Sequence, residues 1–257
     1  MTYPILEFDP SNDALIDPAR VVEPVDIPRA AVICFFQDVI DALRVAGRLA
    51  HCTTQRSELG DHPVYTFDAG DGRTVAVFHP GVGAPLAAGM LEEVIARGCQ
   101  AFVACGGAGA LDRDLTVGHL VVPIAAVRDE GTSYHYLPPA REVTADPAAL
   151  AAIEQALQAH QVPYVLAKTW TTDAFYRETP RKIAHRREEG CAVVEMEAAA
   201  LFAVARFRGV PLGQILYAGD DVSGDVWDSR DWHVRGSVRE RLFYLAVEAV
   251  LTLRVEG

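Results

Sequence analysis

The order of apolar segments constrains the fold more than any other feature of this sequence. Short, almost continuously apolar runs alternate with segments that have helical spacing. Strands that are buried on both faces and separated by helices are typical of a parallel sheet covered on two sides. The predicted strands are 31–36, 74–79, 101–107, 119–127, 163–170, 192–194 and 213–219, and the predicted helices are 38–47, 86–98, 146–160, 198–205 and 237–254.

We therefore predict an α/β fold with a single three-layer α/β/α domain over residues 1–257. Its central sheet is expected to be mixed and mostly parallel. Residues 1–30 carry several prolines and no strand-like run, so we predict an N-terminal arm that either packs on the domain or meets a partner subunit.

Charge and composition argue against several classes of function. The formal net charge is −12 and no basic stripe is present, so we expect neither a nucleic-acid partner nor a membrane partner. The first residues, MTYPILEFDP, lack the basic and apolar regions of a signal peptide, and no apolar run has transmembrane length. Five cysteines without CxxC or zinc spacing predict reduced thiols, a cytoplasmic location and no metal site.

Small and polar residues follow four of the predicted strands. The segments are HPGVGAP (79–85), CGGAGAL (105–111), VEMEA (194–198) and YAGDD (217–221). In open α/β sheets, ligands bind beyond the carboxyl ends of the strands, and glycines there let the backbone approach a bound molecule. We therefore predict a binding site at this edge of the sheet.

Two carboxylates, Glu195 and Glu197, stand one residue apart between an apolar strand and an alanine-rich helix. Burying an unpaired charge is costly, so carboxylates at this junction must face water, a cation or a ligand. The amino-acid sequence alone does not show which of these partners the two carboxylates have.

Five segments in a fixed order now identify a resemblance. They are GVGAP (81–85), GGAGAL (106–111), VGHLVVP (117–123), TTDAFYRET (171–179) and VEMEAAAL (194–201). With these segments the sequence resembles the nucleoside phosphorylase / uridine phosphorylase superfamily, which also contains purine nucleoside phosphorylases and methylthioadenosine/adenosylhomocysteine nucleosidases. The similarity extends from about Ala31 to the last helix.

The resemblance implies a role for each part of the site. Glu197 would accept hydrogen bonds from the ribose 2′- and 3′-hydroxyls, with Met196 against the sugar and Glu195 as its companion, which either orders the loop or approaches the substrate. Phe175 would stack on the base. Arg181 matches an arginine with which uridine phosphorylases bind uracil, whereas Thr179 stands where those enzymes have glutamine. Asp220 aligns with the aspartate that protonates a leaving purine, and Asp221 is its alternative.

The expected phosphate ligands are absent from their family positions. No GDPxR-like loop follows the first strand, Ala104 replaces an arginine, and Gly107 replaces a hydroxyl residue. A phosphate site would then need Arg128 or Arg56, together with the glycine loops. Those loops contain Gly81, Gly83, Gly106 and Gly107.

Three functions stay open after this comparison. We predict phosphorolysis of a nucleoside to free base and ribose 1-phosphate, with no cofactor and with inorganic phosphate as co-substrate. The alternatives are a nucleosidase that uses water, with Asp38 or Asp41 near the general-base position, and a noncatalytic nucleoside-binding protein. The resemblance also implies a homo-oligomer, either a dimer or a hexamer.

One further segment and one further residue lie near the predicted site in the sequence pattern. The tryptophan-bearing segment 225–237 is predicted to lie near the site or at an interface. Cys105 is interpreted as a small buried side chain rather than a nucleophile.

Overall fold

Ten strands form one sheet in the computed structural model, which describes residues 3–115, 117–232 and 236–253. The first two residues of the predicted arm and residue 254 of the predicted last helix lie outside these ranges. The strands are β1 (Ala30–Cys34), β2 (Leu49–Ser57), β3 (Gly60–Gly70), β4 (Arg73–Phe78), β5 (Ala101–Ala110), β6 (Leu120–Asp129), β7 (Glu142–Thr144), β8 (Tyr164–Thr172), β9 (Cys191–Glu195) and β10 (Leu212–Asp221).

Five of these strands close into a ring. β5 pairs with both β9 and β10, and the path β10–β6–β8–β9 joins those two strands from the other side. A small apolar cluster that includes Ala108, Val121, Val193 and Leu216 is shared by four ring strands. From β5 the sheet continues outward through β1, β4, β3 and β2.

The sheet is mixed, as predicted, because parallel and antiparallel pairings both occur. β1 lies parallel to β4 and β5, β10 is parallel to β5, and β8 is parallel to β6 and β9. The antiparallel pairings are β2–β3, β3–β4, β5–β9, β6–β7 and β6–β10. β2, β3 and β7 were not predicted; in β2 only Leu49 and Gln55 are buried, so its sequence shows no apolar run.

Helices cover both faces of the sheet and give the predicted three layers. They are α1 (Pro18–Val21), α2 (Gln37–Val45), α3 (Ala84–Arg97), α4 (Pro147–Ala159), α5 (Pro180–Glu188), α6 (Ala198–Arg208) and α7 (Gly236–Thr252). Val32 and Cys34 of β1 pack in the core formed with α2, α4 and α7, whereas Ala31 and Ile33 pack in the core formed with α3 and α6. This alternation follows from the two-residue period of a strand. None of the helices in the described ranges has the length and apolar character needed to cross a membrane.

The end of the N-terminal arm is fastened to the start of β5. The carbonyl of Arg29 accepts hydrogen bonds from the N–H groups of Gln100 and Ala101, over 2.7 and 3.2 Å. Further back in the arm, Leu15 and Ile16 are fully or largely exposed. The arm is therefore fastened to the domain at its carboxyl end and leaves the side chains of Leu15 and Ile16, near its middle, in solvent.

Candidate active site

A cleft of about 790 Å³ opens at the carboxyl ends of β5, β9 and β10. This edge of the sheet is where the sequence predicted a site. The lining residues are Phe35, Phe36, Val82, Gly106, Gly107, Ala108, Gly109, Phe175, Tyr176, Glu178, Val194, Glu195, Met196, Glu197, Gln214, Tyr217, Gly219, Asp220, Val222, Trp227, Trp232 and Arg239.

Glu197 stands at the N-terminus of α6 and is buried in the wall of the cleft. The N–H of Gly83 donates to its Oε1 over 2.6 Å. Gly83 has φ +91°, a conformation that favours glycine, so the glycine loop before α3 is shaped to reach this carboxylate. Burial, and then the neighbouring charge of Glu195, raise the pKa of Glu197 to about 8.

Glu195 has different partners, although it is only two positions away. The hydroxyls of Thr171 and Thr169 donate to its Oε1 over 2.6 and 3.2 Å. The backbone N–H groups of Glu197 and Ala198 donate to its Oε2 over 2.7 and 2.6 Å. Burial raises the pKa of Glu195, while these donors oppose that effect. The contacts of Glu195 therefore hold the turn that presents Glu197.

Asp220 lies on the wall formed by the end of β10. The indole N–H of Trp227 donates to its Oδ2 over 2.7 Å. The neighbouring Asp221, which was the alternative proton donor, forms an ion pair with Arg230 at 2.5 Å. Burial opposes ionisation of Asp221, but hydrogen bonds from Ser223 and the charge of Arg230 lower its pKa. Asp221 is therefore held within its own loop, and Asp220 is the aspartate that lines the cleft.

The short turn after β8 brings two aromatic rings and a carboxyl to the cleft. Phe175 and Tyr176 lie with ring centroids 4.1 Å apart, and Glu178 follows them. Burial and the negative charge of Asp220 raise the pKa of Glu178 to about 7. Glu178 was not singled out from the sequence, where it is one more charged residue in a polar segment.

The structure does not bring Thr179 and Arg181 into the cleft. The Thr179 hydroxyl instead caps α5 by accepting from the N–H of Lys182 over 3.4 Å, and Arg181 is exposed on that helix. Their predicted contacts with the base are therefore not supported within this chain. The reason is local, because α5 begins at Pro180 and turns the chain away from the site.

The predicted acceptor residues are divided between several places. Gly106 and Gly107 line the cleft, whereas Gly81 lines an adjoining cavity of about 450 Å³ that shares Val82 with it. Gly81 has φ +80°, and a Cβ there would come within 2.2 Å of the Leu86 side chain, so this turn requires glycine.

The placement of Arg128 as a phosphate ligand needs correction. Its guanidinium is buried away from the cleft and donates to the Ser133 hydroxyl and to the carbonyls of Pro138 and Leu137, over 2.8, 2.8 and 3.2 Å. Arg56 is exposed and pairs with Asp61 at 3.2 Å. Neither arginine lines the cleft.

One lining residue comes from a part of the chain whose sequence showed no sign of a site. Arg239 reaches the cleft from α7, whereas Tyr217 comes from β10, in the segment 217–221 that was predicted to border the site. Trp227 and Trp232 confirm that the tryptophan-bearing segment lies near the site, as far as it is described. Within the described ranges, no group of histidine, cysteine and acidic residues is arranged to hold a metal ion.

Comparison with known proteins identifies the class to which this fold and cleft belong. The chain is a member of the phosphorylase superfamily, whose family model matches residues 29–250. It is 31% identical over 189 residues to a guanosine phosphorylase of Halorubrum lacusprofundi, covering 71% of this chain and 78% of that protein. It is 30% identical over 171 residues to a uridine phosphorylase of Thermococcus kodakarensis, covering 61% of this chain and 62% of that protein.

Solved structures confirm the fold. A purine nucleoside phosphorylase of Toxoplasma gondii superimposes with a TM-score of 0.75 at 19% identity, covering 89% of this chain and 95% of that one. A uridine phosphorylase of Vibrio fischeri gives a TM-score of 0.73 at 23% identity over 93% and 95% of the two chains. An AMP nucleosidase of Bacteroides thetaiotaomicron gives 0.70 at 22% identity, with 88% of each chain covered.

Proposed function

We propose that this protein cleaves the N-glycosidic bond of a nucleoside by phosphorolysis, releasing the free base and ribose 1-phosphate. The observation that carries the proposal is the pair of carboxylates that line one cleft, Glu197 at the start of α6 and Asp220 at the end of β10. Membership of the phosphorylase superfamily supports the same reaction. Inorganic phosphate is the co-substrate, and the reaction needs no further cofactor.

Glu197 is proposed to hold the sugar. Its carboxylate is already fixed by Gly83, and it would accept hydrogen bonds from the ribose 2′- and 3′-hydroxyls. Those donors stabilise the ionised carboxylate and so offset the burial that raises its pKa. Met196, which lines the same wall, would pack against the sugar face. A sugar held in this way can develop oxocarbenium character without losing its orientation.

Asp220 is proposed to assist departure of the base. As the glycosidic bond breaks, electrons move onto the base, and a carboxylic acid close to a ring nitrogen can neutralise that charge. Trp227 fixes the orientation of Asp220 through its indole N–H. Phe175 would stack on the base.

We propose that purine nucleosides are cleaved at least as well as uridine. Asp220 lies in the cleft, whereas Thr179 and Arg181, which occupy the positions used to bind uracil, lie outside it. Turnover of inosine, guanosine, adenosine and uridine measures this preference directly. The Asp220→Asn variant should slow purine release while it leaves nucleoside binding nearly unchanged, because the proton matters mainly as the bond breaks. Uridine turnover without purine turnover would contradict the assignment of Asp220.

The sugar product distinguishes the proposed reaction from hydrolysis. The enzyme is incubated with a nucleoside that it cleaves, with and without phosphate, and the sugar is identified by mass spectrometry. Ribose 1-phosphate that forms only with phosphate is the expected result. Free ribose at an unchanged rate without phosphate would show a nucleosidase, and no sugar product from any nucleoside would leave the binding-protein alternative.

We further propose that the chain forms a homo-oligomer, either a dimer or a hexamer. The exposed apolar residues Leu15, Ile16 and Val21 of the arm support a contact there. Sedimentation of an active sample as a monomer would contradict this. We also propose a cytoplasmic location, which the five free cysteines support because thiols persist in reducing compartments.

A further inference from the structure

Phosphorolysis requires a site for a phosphate dianion, and such an anion is normally held by cationic forks and oriented donors. The family positions for these ligands carry Ala104 and Gly107 instead. Ala104 is fully buried and Gly107 has no side chain to offer. Among the described residues that line the cleft, Arg239 of α7 is the one that carries a permanent positive charge.

Arg239 is held in a defined position although it comes from the last helix. Its Cζ lies 5.3 Å from the ring centroid of Phe36 and 5.5 Å from that of Trp232. Its Nη1 donates to Asp38 over 2.9 Å and its Nε to the Tyr217 hydroxyl over 3.3 Å. Burial opposes the charge, but the hydrogen bond to Tyr217 and the charge of Asp38 outweigh it and raise the pKa of Arg239. The guanidinium is therefore a preorganised cation at the wall of the cleft.

Tyr217 occupies the space beside Gly107. The two residues face each other in the parallel pairing of β10 with β5. A Cβ on Gly107 would lie 3.1 Å from Cε1 of Tyr217 and 3.5 Å from its hydroxyl oxygen. A serine or threonine at position 107 would thus crowd the phenol. The glycine and the tyrosine are complementary in shape, so a hydroxyl from the neighbouring strand lies beside position 107. That hydroxyl donates to the carbonyl of Trp232 over 2.8 Å, and a phosphate bound there would accept this hydrogen bond in place of the carbonyl.

We propose that Arg239 of α7 and Tyr217 of β10 bind the acceptor phosphate. They would take the place of the arginine and hydroxyl ligands that positions 104 and 107 of β5 do not supply. This inference rests on the proposed function. Asp38 is the competing anion: its side chain is 46% exposed, it pairs with Arg239, and it partly neutralises the guanidinium before phosphate arrives. Phosphate therefore has to share Arg239 with Asp38 or displace it, so Asp38 lowers the affinity of the site.

The test measures the KM for phosphate and the KM for nucleoside separately, by following base release while each substrate is varied. Arg239→Gln should raise the KM for phosphate at least about 30-fold and change the KM for nucleoside by less than about 2-fold, since one charge-assisted pair is lost. Arg239→Lys should restore part of the loss. Tyr217→Phe should raise the KM for phosphate several-fold. Asp38→Asn should lower the KM for phosphate, because the competing anion is removed. If the Asp38–Arg239 pair were only structural, this substitution would not lower the KM.

Arg56→Gln is the matched control, because Arg56 is an exposed arginine outside the cleft and its loss should leave both KM values unchanged. If Arg239→Gln does not fold, the Tyr217→Phe and Asp38→Asn variants still decide the matter. Two results would overturn this inference: an unchanged KM for phosphate in folded Arg239→Gln, or a raised KM for phosphate in Asp38→Asn. If the wild type still forms ribose 1-phosphate, the proposed function stands in either case. Free ribose from the wild type at the same rate without phosphate would overturn the proposed function itself.

Discussion

Glu195 and Glu197 are the same residue type two positions apart, and their surroundings give them different tasks. Glu195 accepts four hydrogen bonds from Thr169, Thr171 and two backbone N–H groups, so its carboxylate is used by the fold. Within the described ranges, Glu197 accepts hydrogen bonds from the backbone of Gly83 and Met196 only, and it faces the cleft, so it has acceptor capacity for a ligand. The residue that supports the turn and the residue proposed to bind substrate can therefore be separated by experiment.

We predict that Glu197→Gln lowers kcat/KM for ribonucleosides by about 30- to 1000-fold, which corresponds to about 2–4 kcal/mol of lost interaction with the positioned sugar. Its melting temperature should stay close to that of the wild type at neutral pH, because a carboxyl with a pKa of about 8 is mostly neutral there and the glutamine keeps an oxygen that accepts from Gly83. Steady-state kinetics and calorimetry measure the two quantities. A change of less than about threefold in kcat/KM would contradict the assignment of the sugar ligand.

The matched variant Glu195→Ala should lower stability, in contrast to Glu197→Gln. Four donors lose their acceptor in a buried place, and each unsatisfied group costs about 1–3 kcal/mol. The melting temperature should therefore fall by several degrees. If Glu195→Ala melted like the wild type, the turn would have to be held by other contacts.

Glu178 provides a pH-dependent group in the same cleft as Asp220. Burial and the charge of Asp220 raise the pKa of Glu178 to about 7, so the side chain loses its proton as the pH rises through neutrality. An ionised Glu178 would then place a negative charge near a leaving base that is itself gaining electrons. We predict that kcat/KM for a purine nucleoside falls as pH rises through about 7, and that Glu178→Gln removes this decrease. Ionisation of phosphate affects both proteins equally, so identical profiles would exclude Glu178 as the cause.

At the scale of helices and strands, the sequence predicts those elements whose residues form a recognisable local pattern. The β9–α6 turn was predicted because an apolar strand, two carboxylates and an alanine-rich helix are contiguous from Cys191 to Arg208. β2 was missed because its side chains are mostly polar. Arg239 was missed because it belongs to the site only through tertiary structure, which places α7 beside Asp38, 201 residues earlier in the chain. Spacing along the sequence carries no signal for such a contact.

Two tryptophans between β10 and α7 allow ligand binding in the cleft to be followed by fluorescence. Trp227 and Trp232 line the cleft and are 61% and 41% exposed, whereas Trp170 is fully buried elsewhere. A nucleoside in the cleft should cover the first two rings and protect them from iodide. We predict that saturating nucleoside reduces iodide quenching of the tryptophan fluorescence. The reduction should be lost in a Trp227→Phe, Trp232→Phe double variant, and its persistence there would mean that the nucleoside binds away from this loop.

At the scale of the whole molecule, the cleft lies where the closed ring meets the open part of the sheet. The ring strands β5, β9 and β10 supply Gly107, Glu197 at the following turn, and Asp220. The open part supplies Phe35 and Phe36 after β1, and Gly83 after β4. Because Glu197 is bonded to Gly83, the carboxylate proposed to bind sugar also joins the two parts of the fold. Its ionisation is therefore coupled to the stability of the whole chain.

Glu197 and Glu189 make the folding stability of the protein depend on pH in opposite directions. The ordinary pKa of a glutamate is 4.5, and that of Glu197 in the folded protein is about 8. Between these values the native state binds more protons than the unfolded state, so this group makes stability fall as pH rises from about 4.5 to about 8. Glu189 affects stability at acid pH, because the hydrogen bond from Arg141 holds its pKa at about 2 in the folded protein. Its contribution to the free energy of unfolding is therefore fully present above pH 4.5 and is lost as the pH falls through about 2.

Glu197→Gln removes the proton-binding difference of that site and leaves the remaining charges of the chain unchanged. We therefore expect the melting temperature of the wild type to fall between pH 5 and pH 9 and that of the variant to fall less, so that the variant becomes the more stable protein at pH 9. A difference of about 1 kcal/mol corresponds to roughly 2–4 °C in a chain of this size, which calorimetry resolves. Two parallel curves would mean that Glu197 has the same affinity for protons in the folded and unfolded chain, and its burial would then have to be relieved by contacts other than Gly83.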